Sequence, residues 1–312
     1  MKVLVTGGLG QIGSHVCEML LARGDDVVVI DNLATGQRHH LAEHPKLTIV
    51  IETIANREAV YALAKEHNFG AIVHTAASYK EPNDWYNDTL TNCVGGTNLI
   101  QAAQEFKIGR FIYFQTALCY GTKPLQQPIR LDHPKFPANS SYAISKTVTE
   151  DYLEISGVDY VSFRLANVIG PRNVSGPLPI FFQRLSEGKK CFVTKARRDF
   201  CFNQDLARAV IKAVDGTGTG AYHFSSGKDV AIKELYDAVV KAMELPTYPE
   251  AEVRELGPDD AASILLDPSR TMEDFGPIEF TPLDEIARQA VAYFRKHGAS
   301  GGYTHLKHEE KK

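Results

Sequence analysis

The chain has 312 residues, 44% of them hydrophobic and 23% charged, with a formal net charge of -4 from 34 basic and 38 acidic side chains. That composition excludes disorder, collagen-like repeats and a disulfide scaffold, and a chain this long buries about 75% of its unfolded surface without cross-links. The lack of a basic excess argues against a nucleic-acid partner, and five cysteines with no Cys-x-x-Cys pair indicate neither zinc nor another metal centre.

Strand-like sequence begins directly after Met1-Lys2, and no apolar run reaches the ~18 residues that span a bilayer. No signal peptide and no membrane contact are therefore expected, and the expected location is cytoplasmic. Residues 3–5 are a short β-branched run closed by Thr6-Gly7-Gly8, and a helical pattern follows over 11–22. A second strand at 27–30 leads into the turn-rich DNLATG. Strands at 47–51, 71–74 and 111–114 alternate with helices at 57–67 and 92–106, and a helix at 142–155 precedes a sixth strand at 160–165. Continuous apolar strands spaced by helices predict an α/β, Rossmann-type doubly wound parallel sheet covered on both faces.

Beyond residue 165 the rhythm breaks at Gly170-Pro171, Gly176-Pro177 and Pro179, with helices expected at 179–187, 204–214, 231–243 and 283–296. Residues 1–167 are expected to form the dinucleotide domain, with part of 198–225 returning to it. Residues 168–297 are expected to form a smaller C-terminal α/β substrate lobe. The glycine-rich, then charged GASGGYTHLKHEEKK at 298–312 reads as a mobile tail.

Gly7, Gly10 and Gly13 lie between the first strand and the first helix in the spacing Gly-x-x-Gly-x-x-Gly. The chain must turn tightly out of the strand, let a pyrophosphate approach the backbone and aim the helix N-terminus at it. Asp31 closes the second strand about 20 residues later, where a carboxylate holds the adenosine ribose hydroxyls. That carboxylate repels a 2'-phosphate, which favours NAD over NADP, although Arg38 stands near enough in sequence to serve one.

Tyr-x-x-x-Lys places two reactive groups on one helix face, and it occurs three times, as Tyr61/Lys65, Tyr142/Lys146 and Tyr303/Lys307. Only Tyr142 opens a helix after the fifth strand, facing the sheet edge where open α/β folds bind ligands. Thr116 ends that fifth strand, in FIYFQTALCYG. A phenol of pKa ~10 is a poor base at neutral pH. A nearby Lys146 ammonium and a positive nicotinamide would favour the phenolate, with Thr116 sharing the proton and orienting a substrate alcohol. The alternative for Thr116 is a strand-end hydroxyl that satisfies backbone.

Taken together, TGGLGQIG, VIDNLATG, HTAA, the Thr116 strand, YAISK, RLANVIGPR, RDFCFNQDLARA and LDPSRTMEDFG resemble the extended short-chain dehydrogenase/reductase superfamily, within it the NAD-dependent nucleotide-sugar epimerase/dehydratase family. NCVGGTN, FQTALCYG and RLANVIGPR resemble the WbmG/WbmH type from bacterial O-antigen clusters. The resemblance implies that Gly7, Gly10, Gln11, Ile12 and Gly13 line the pyrophosphate. Asp31, Asn32, Leu33, Thr35 and Gly36 would hold the adenosine ribose. Thr53-Ile54 stands where the family often has Asp-Ile beside adenine. Thr75, Ala76, Ala77 and Tyr79 would flank the cofactor, and Asn92 would touch it. Tyr142 would be the general base, Lys146 would hold the nicotinamide ribose, and Thr116 would bond the reacting hydroxyl. Lys80, Thr116, Asn167, Arg172 and Arg198 would face the nucleotide sugar. Arg198 would meet a phosphate, as guanidinium geometry suits, unless it is spent on a surface ion pair. Lys80 and the basic residues of CFVTKARR (191–198) would suit an acidic sugar, or else are solvated loop charges.

Dehydratases of this family carry Asp-Glu after the strand-end threonine, because expelling a C6 hydroxyl needs an acid and a base. Here Ala117 and Leu118 occupy those positions. The expected reaction is therefore NAD-dependent epimerisation of a nucleotide sugar, UDP-linked and at C4, for surface-polysaccharide biosynthesis. The alternatives are a net oxidoreductase on a sugar or non-sugar alcohol or ketone, a sugar dehydratase, or a non-catalytic NAD-binding protein. The resemblance also implies a homodimer formed by the helices near 92–106 and 142–155.

Overall fold

The computed structural model describes residues 1–79, 81–137, 140–257 and 261–299. Lys80 and residues 300–312 of the expected tail lie outside the described residues. The first half contains β1 (Lys2–Thr6), α1 (Gly13–Ala22), β2 (Asp26–Asp31), β3 (Leu47–Ile51), α2 (Arg57–Glu66) and β4 (Ala71–His74). It continues through α3 (Trp85–Asp88), a π-helical segment (Thr89–Gly95), α4 (Gly96–Glu105), β5 (Phe111–Thr116), α5 (Ser141–Ser156) and β6 (Tyr160–Leu165). The second half contains β7 (Asn167–Ile169), α6 (Pro177–Ser186), β8 (Phe192–Thr194), β9 (Arg197–Arg198), β10 (Phe200–Phe202) and α7 (Asn203–Val214). β11 (Gly220–Phe224), β12 (Val230–Ala231), α8 (Ile232–Met243), β13 (Glu252–Arg254), α9 (Ser269–Phe275) and α10 (Leu283–His297) complete it.

Seven parallel strands form one sheet in the order β11-β6-β5-β4-β1-β2-β3. Alternate residues of each strand face opposite layers. Val3, Val5, Ile112, Phe114, Val161 and Phe163 pack under α1 and α7. Leu4, Ile72, Phe111 and Tyr113 pack with Val60 of α2, Leu99 of α4 and Leu153 of α5. Both faces are apolar, which is why these strands read as unbroken hydrophobic runs. Each such buried side chain contributes about 1.5–3 kcal/mol. A separate core joins α6, α8 and α10 through Leu178, Phe181, Leu235, Val239, Ile286 and Phe294.

The sheet differs from the periodicity at two places. β11 is not picked out by its residues, because GAYHF mixes glycine and histidine into the run and the flanks are turn-like. Its order comes from tertiary pairing with β6, with Gly220 opposite Val161 and Phe224 opposite Leu165. The unexpected α9 then covers its open edge: Arg270 Nη1 donates to the Ala221 carbonyl (2.8 Å) and Thr271 Oγ1 to that of His223 (2.6 Å). An uncovered edge strand would expose a row of unpaired backbone groups. The helix expected at 92–106 starts earlier, at Trp85, and passes through the π-helical segment. There a Cβ on Gly95 would meet Ile54 Cγ1 at 2.5 Å, and one on Gly96 would meet Thr149 Oγ1 at 2.6 Å. The two glycines let this helix lie directly against the loop after β3 and against α5.

Among the described residues no helix is long and apolar enough to cross a membrane, and no group of three or more His, Cys, Asp or Glu is arranged to hold a metal.

Candidate active site

The strand order reverses between β1 and β4, and in open α/β sheets the crevice at such a point takes the ligand. Gly7 turns the chain there with φ +65°, and a Cβ on it would stand 2.7 Å from the Ala76 amide nitrogen. Gly13 is equally enclosed, since its Cβ would lie 2.4 Å from the Gly7 carbonyl oxygen. Thr75 Oγ1 donates to the Thr6 carbonyl (2.7 Å) and the Ala76 N–H donates to Thr6 Oγ1 (3.2 Å), which fixes the start of the Thr75–Tyr79 loop against the glycine turn. α1 begins without a side-chain cap or an acidic residue in its first turn. Its N-terminal N–H groups are therefore suited to a pyrophosphate.

Asp31 is buried, and each carboxylate oxygen accepts one N–H: Oδ2 from Leu9 (3.0 Å) and Oδ1 from Leu33 (2.8 Å). Burial pushes the carboxyl up and these bonds oppose it. Each oxygen keeps lone pairs for a diol. Leu33 itself takes φ 59°, and Asn32 Oδ1 accepts from the Ala34 N–H at 3.0 Å. Thr35 leads to Gly36, where a Cβ would stand 2.8 Å from Asp31 Oδ1. Sequence reasoning missed His40, whose Nδ1 lies 2.7 Å from the Leu9 carbonyl and clamps the glycine turn from outside. This crevice fits a dinucleotide with free ribose hydroxyls.

Other expected contacts fall differently. Gln11 ties its side chain to the fold, donating to the Val168 carbonyl (3.1 Å) and accepting from Asn173 Nδ2 (3.0 Å). Thr53 Oγ1 accepts from the Ala55 N–H (3.2 Å), and Ile54 is buried against Gly95. Asn92 does not reach out to a cofactor. Its Nδ2 donates to the Ser78 carbonyl (3.1 Å) and to Ser145 Oγ (2.9 Å), and its Oδ1 accepts from the Ser78 N–H (2.9 Å). With both amide protons spent, it positions the loop after β4 against α5.

Thr116 ends β5, and Oγ1 accepts from the Leu118 N–H at 3.2 Å, which leaves the hydroxyl proton to donate. Tyr142 lies in the first turn of α5, whose N-cap Ser140 accepts from the Ala143 N–H. α5 runs antiparallel to the strands, so its first turn and the end of β5 share one sheet edge. The Tyr79 ring meets the Tyr142 ring edge-on, with centroids 6.3 Å apart. Lys146 is 2% exposed, and its ammonium sits 4.1 Å from the centroid of the Tyr113 ring. Tyr113 donates to the Lys146 carbonyl at 2.8 Å. It is a second residue that sequence reasoning missed, although a tyrosine inside an apolar strand was a signal available there.

Burial pushes the Tyr142 phenol up, with Tyr79 and Asp88 adding to it. Burial pushes Lys146 down to about 7, against Glu150 and Cys93. The Lys146 ammonium is laid over the Tyr113 ring, and Tyr79 and Asp88 add to the push on the phenol.

On the substrate side, Asn167 is exposed on β7, with its N–H donating to the Asp199 carbonyl at 2.9 Å. Arg198 Nη1 donates to the carbonyls of Arg197 and Ala261, both at 2.7 Å. The next residue, Asp199, is buried and gathers Ser225 and Ser226 instead of forming a surface ion pair. Arg172 does not face the crevice. Its guanidinium bonds Ser14 (2.9 Å) and pairs with Glu18 (2.5 Å) on α1, from a backbone at φ 67°. It lines a separate cleft of about 490 Å³ with His15, Gln204 and Tyr293.

A model of the NAD dependent epimerase/dehydratase family matches residues 3–223. The crystal structure of Bordetella bronchiseptica WbmH in complex with NAD+ is 72% identical, covers 96% of this chain and 99% of that one, and superposes with a TM-score of 0.94. Bordetella bronchiseptica WbmG in complex with NAD and UDP is 37% identical over 98% of each chain, with a TM-score of 0.89. The UDP-glucose 4-epimerase of Mycolicibacterium smegmatis is 31% identical over 314 residues, 95% of this chain and 99% of its own.

Proposed function

The chain belongs to the NAD dependent epimerase/dehydratase family, and from that premise we infer that it is an NAD-dependent epimerase of a UDP-linked sugar. The observation that carries this reading is the shared sheet edge, where the glycine turn after β1, the end of β5 and the first turn of α5 converge. Asp31, with an N–H on each carboxylate oxygen, would hold the adenosine ribose and exclude a 2'-phosphate. When bound, NAD supplies the acceptor for the hydrogen of the reacting carbon, returns it, and brings a positive nicotinamide that favours the Tyr142 phenolate.

In this reading Tyr142 takes the proton of the sugar C4 hydroxyl and later gives it back. Thr116 donates its hydroxyl proton to the same oxygen and fixes its direction. Lys146 holds the nicotinamide ribose. Asn167 and Arg198 stand over the edge to meet the diphosphate side. Ala117 and Leu118 carry no acid or base, so the 4-keto sugar is not dehydrated but turns and is reduced on its other face. A UDP-sugar is a water-soluble substrate, which suits a cytoplasmic enzyme supplying surface-polysaccharide assembly.

The outer faces of α3 and α5 support a homodimer. Trp85, Tyr86, Ile144, Tyr152 and Ile155 are 63%, 74%, 50%, 45% and 79% exposed. So many large apolar side chains in the open mark an interaction surface.

Incubating the NAD-loaded protein with a panel of UDP-sugars and following the sugar-ring couplings by NMR tests the assignment. The expected result is a C4-inverted product with no build-up of 340 nm absorbance. Stoichiometric NADH formation would make it a net oxidoreductase instead.

A further inference from the structure

The chain that leaves the substrate side through β7 is tied by three of its residues to the glycine turn and α1. β7 carries Asn167, and its pairing with β10 sets Asn167 opposite Phe200 and Ile169 opposite Phe202. The Asn167 N–H holds the Asp199 carbonyl (2.9 Å), next to Arg198. One residue further, the Val168 carbonyl accepts from Gln11 Nε2 at 3.1 Å. Asn173 Nδ2 donates to Gln11 Oε1 at 3.0 Å. Arg172 Nη1 donates to Ser14 Oγ at 2.9 Å, and that hydroxyl donates in turn to the Gly10 carbonyl. The guanidinium then closes on the Glu18 carboxylate with both Nη atoms, at 3.0 and 2.5 Å.

The backbone between these contacts is held from behind as well. Gly170 takes φ 145°, and a Cβ there would stand 2.6 Å from Asn203 Oδ1. Asn203, buried at the start of α7, donates to the Pro171 carbonyl at 2.8 Å. Arg172 takes φ 67°, which a residue with a Cβ rarely adopts. Such a backbone persists only where its surroundings over-determine it. A connection that only joined two lobes would run over the surface, whereas Ile169, Gly170, Pro171, Asn173 and Val174 are buried. Gln11 stands directly after Gly10, so a displacement of the segment after β7 is carried by side-chain bonds into the turn itself.

We propose that Gln11, Arg172 and Asn173 are positioning residues that couple the two ligand sites: they lock the segment after β7 to the glycine turn, so that a nucleoside diphosphate seated against Asn167 and Arg198 tightens the hold on NAD. The proposal rests on the reading of the glycine turn as the pyrophosphate site and of β7 as the diphosphate side. The three side chains act through the turn and not on a ligand. Coupling of this kind is reciprocal, so NAD strengthens the binding of the diphosphate by the same factor.

The test measures how fast NAD leaves and needs no turnover. NAD-loaded protein is mixed with excess deuterium-labelled NAD, and the exchange is followed by mass spectrometry with and without saturating UDP. Gln11→Met removes both amide bonds at nearly unchanged length, and Arg172→Gly removes the guanidinium at a backbone angle that glycine accepts. In the wild type, UDP is expected to slow the exchange by about fivefold or more. In each variant most of that factor should vanish, while calorimetry still finds UDP bound. A side chain that merely supported the fold would speed the exchange equally with and without UDP. A slowing as large in both variants as in the wild type therefore overturns the proposal, and so does a wild type that binds both molecules and shows no slowing. A wild type that carries no NAD or takes up no UDP would instead sink the functional reading, and this proposal with it.

Discussion

Tyr142 and Lys146 stand one helical turn apart on α5, and burial drives them in opposite directions, the phenol up and the ammonium down to about 7. Replacing Tyr142 with Phe removes the base and should lower turnover by about 10²–10⁴, while NAD stays bound. A steady-state rate beside a measurement of released NAD checks both halves. Lys146 carries a stability cost with a definite sign. The unfolded chain keeps the lysine proton up to its ordinary 10.5, whereas the folded chain releases it near 7. Stability from this group therefore rises with pH across that window, and the whole cost is felt below it. In NAD-stripped protein, Lys146→Met should stabilise at pH 6 by about 2 kcal/mol or more, with the gain fading toward pH 10.5. Denaturant unfolding at the two pH values measures it, and the same variant should lose turnover. Tyr142 at the start of a helix and Thr116 at a strand end were legible from the order of strands and helices, since the Tyr-x-x-x-Lys spacing by itself fits Tyr61 and Tyr303 as well. The parts of His40 and Tyr113 were not, because each acts through contacts made across the fold.

At the scale of elements, the six strands of the first half were legible, since unbroken apolar runs can only be buried on both faces. β11 was hidden because pairing and the cover of Arg270 and Thr271 give it order that GAYHF alone does not encode. The helix start at Trp85 was hidden for a similar reason: the packing of Gly95 and Gly96 against Ile54 and Thr149 is a property of two surfaces. Gly96→Val tests that packing. Its Cβ would be 2.6 Å from Thr149 Oγ1 and 2.7 Å from Thr149 Cγ2, both side-chain atoms of a buried residue. Overpacking of this kind costs about 1–3 kcal/mol. The expected result is a lower thermal midpoint together with weaker NAD retention, because α5 carries Tyr142 and Lys146. An unchanged midpoint would mean that α4 and α5 separate without cost.

For the whole molecule, the second core of α6, α8 and α10 sits apart from the sheet, and β7, β9 and β10 bridge toward it and bring Asn167 and Arg198 over the strand ends. How Arg172 is used was not legible in the sequence, because its partners Ser14 and Glu18 lie over 150 positions away. The exposed face of α5 makes a prediction at this scale. Light scattering should find a species of twice the 34.5 kDa of one chain, and Tyr152→Glu with Ile155→Glu should halve it. The most direct test of the account follows a single atom: a UDP-sugar carrying deuterium at C4 is incubated with the NAD-loaded protein, and the product is read by NMR and mass spectrometry. The account predicts inversion at C4 with the deuterium still on that carbon and NAD unchanged. Loss of the label to solvent, or accumulation of reduced cofactor, would contradict it.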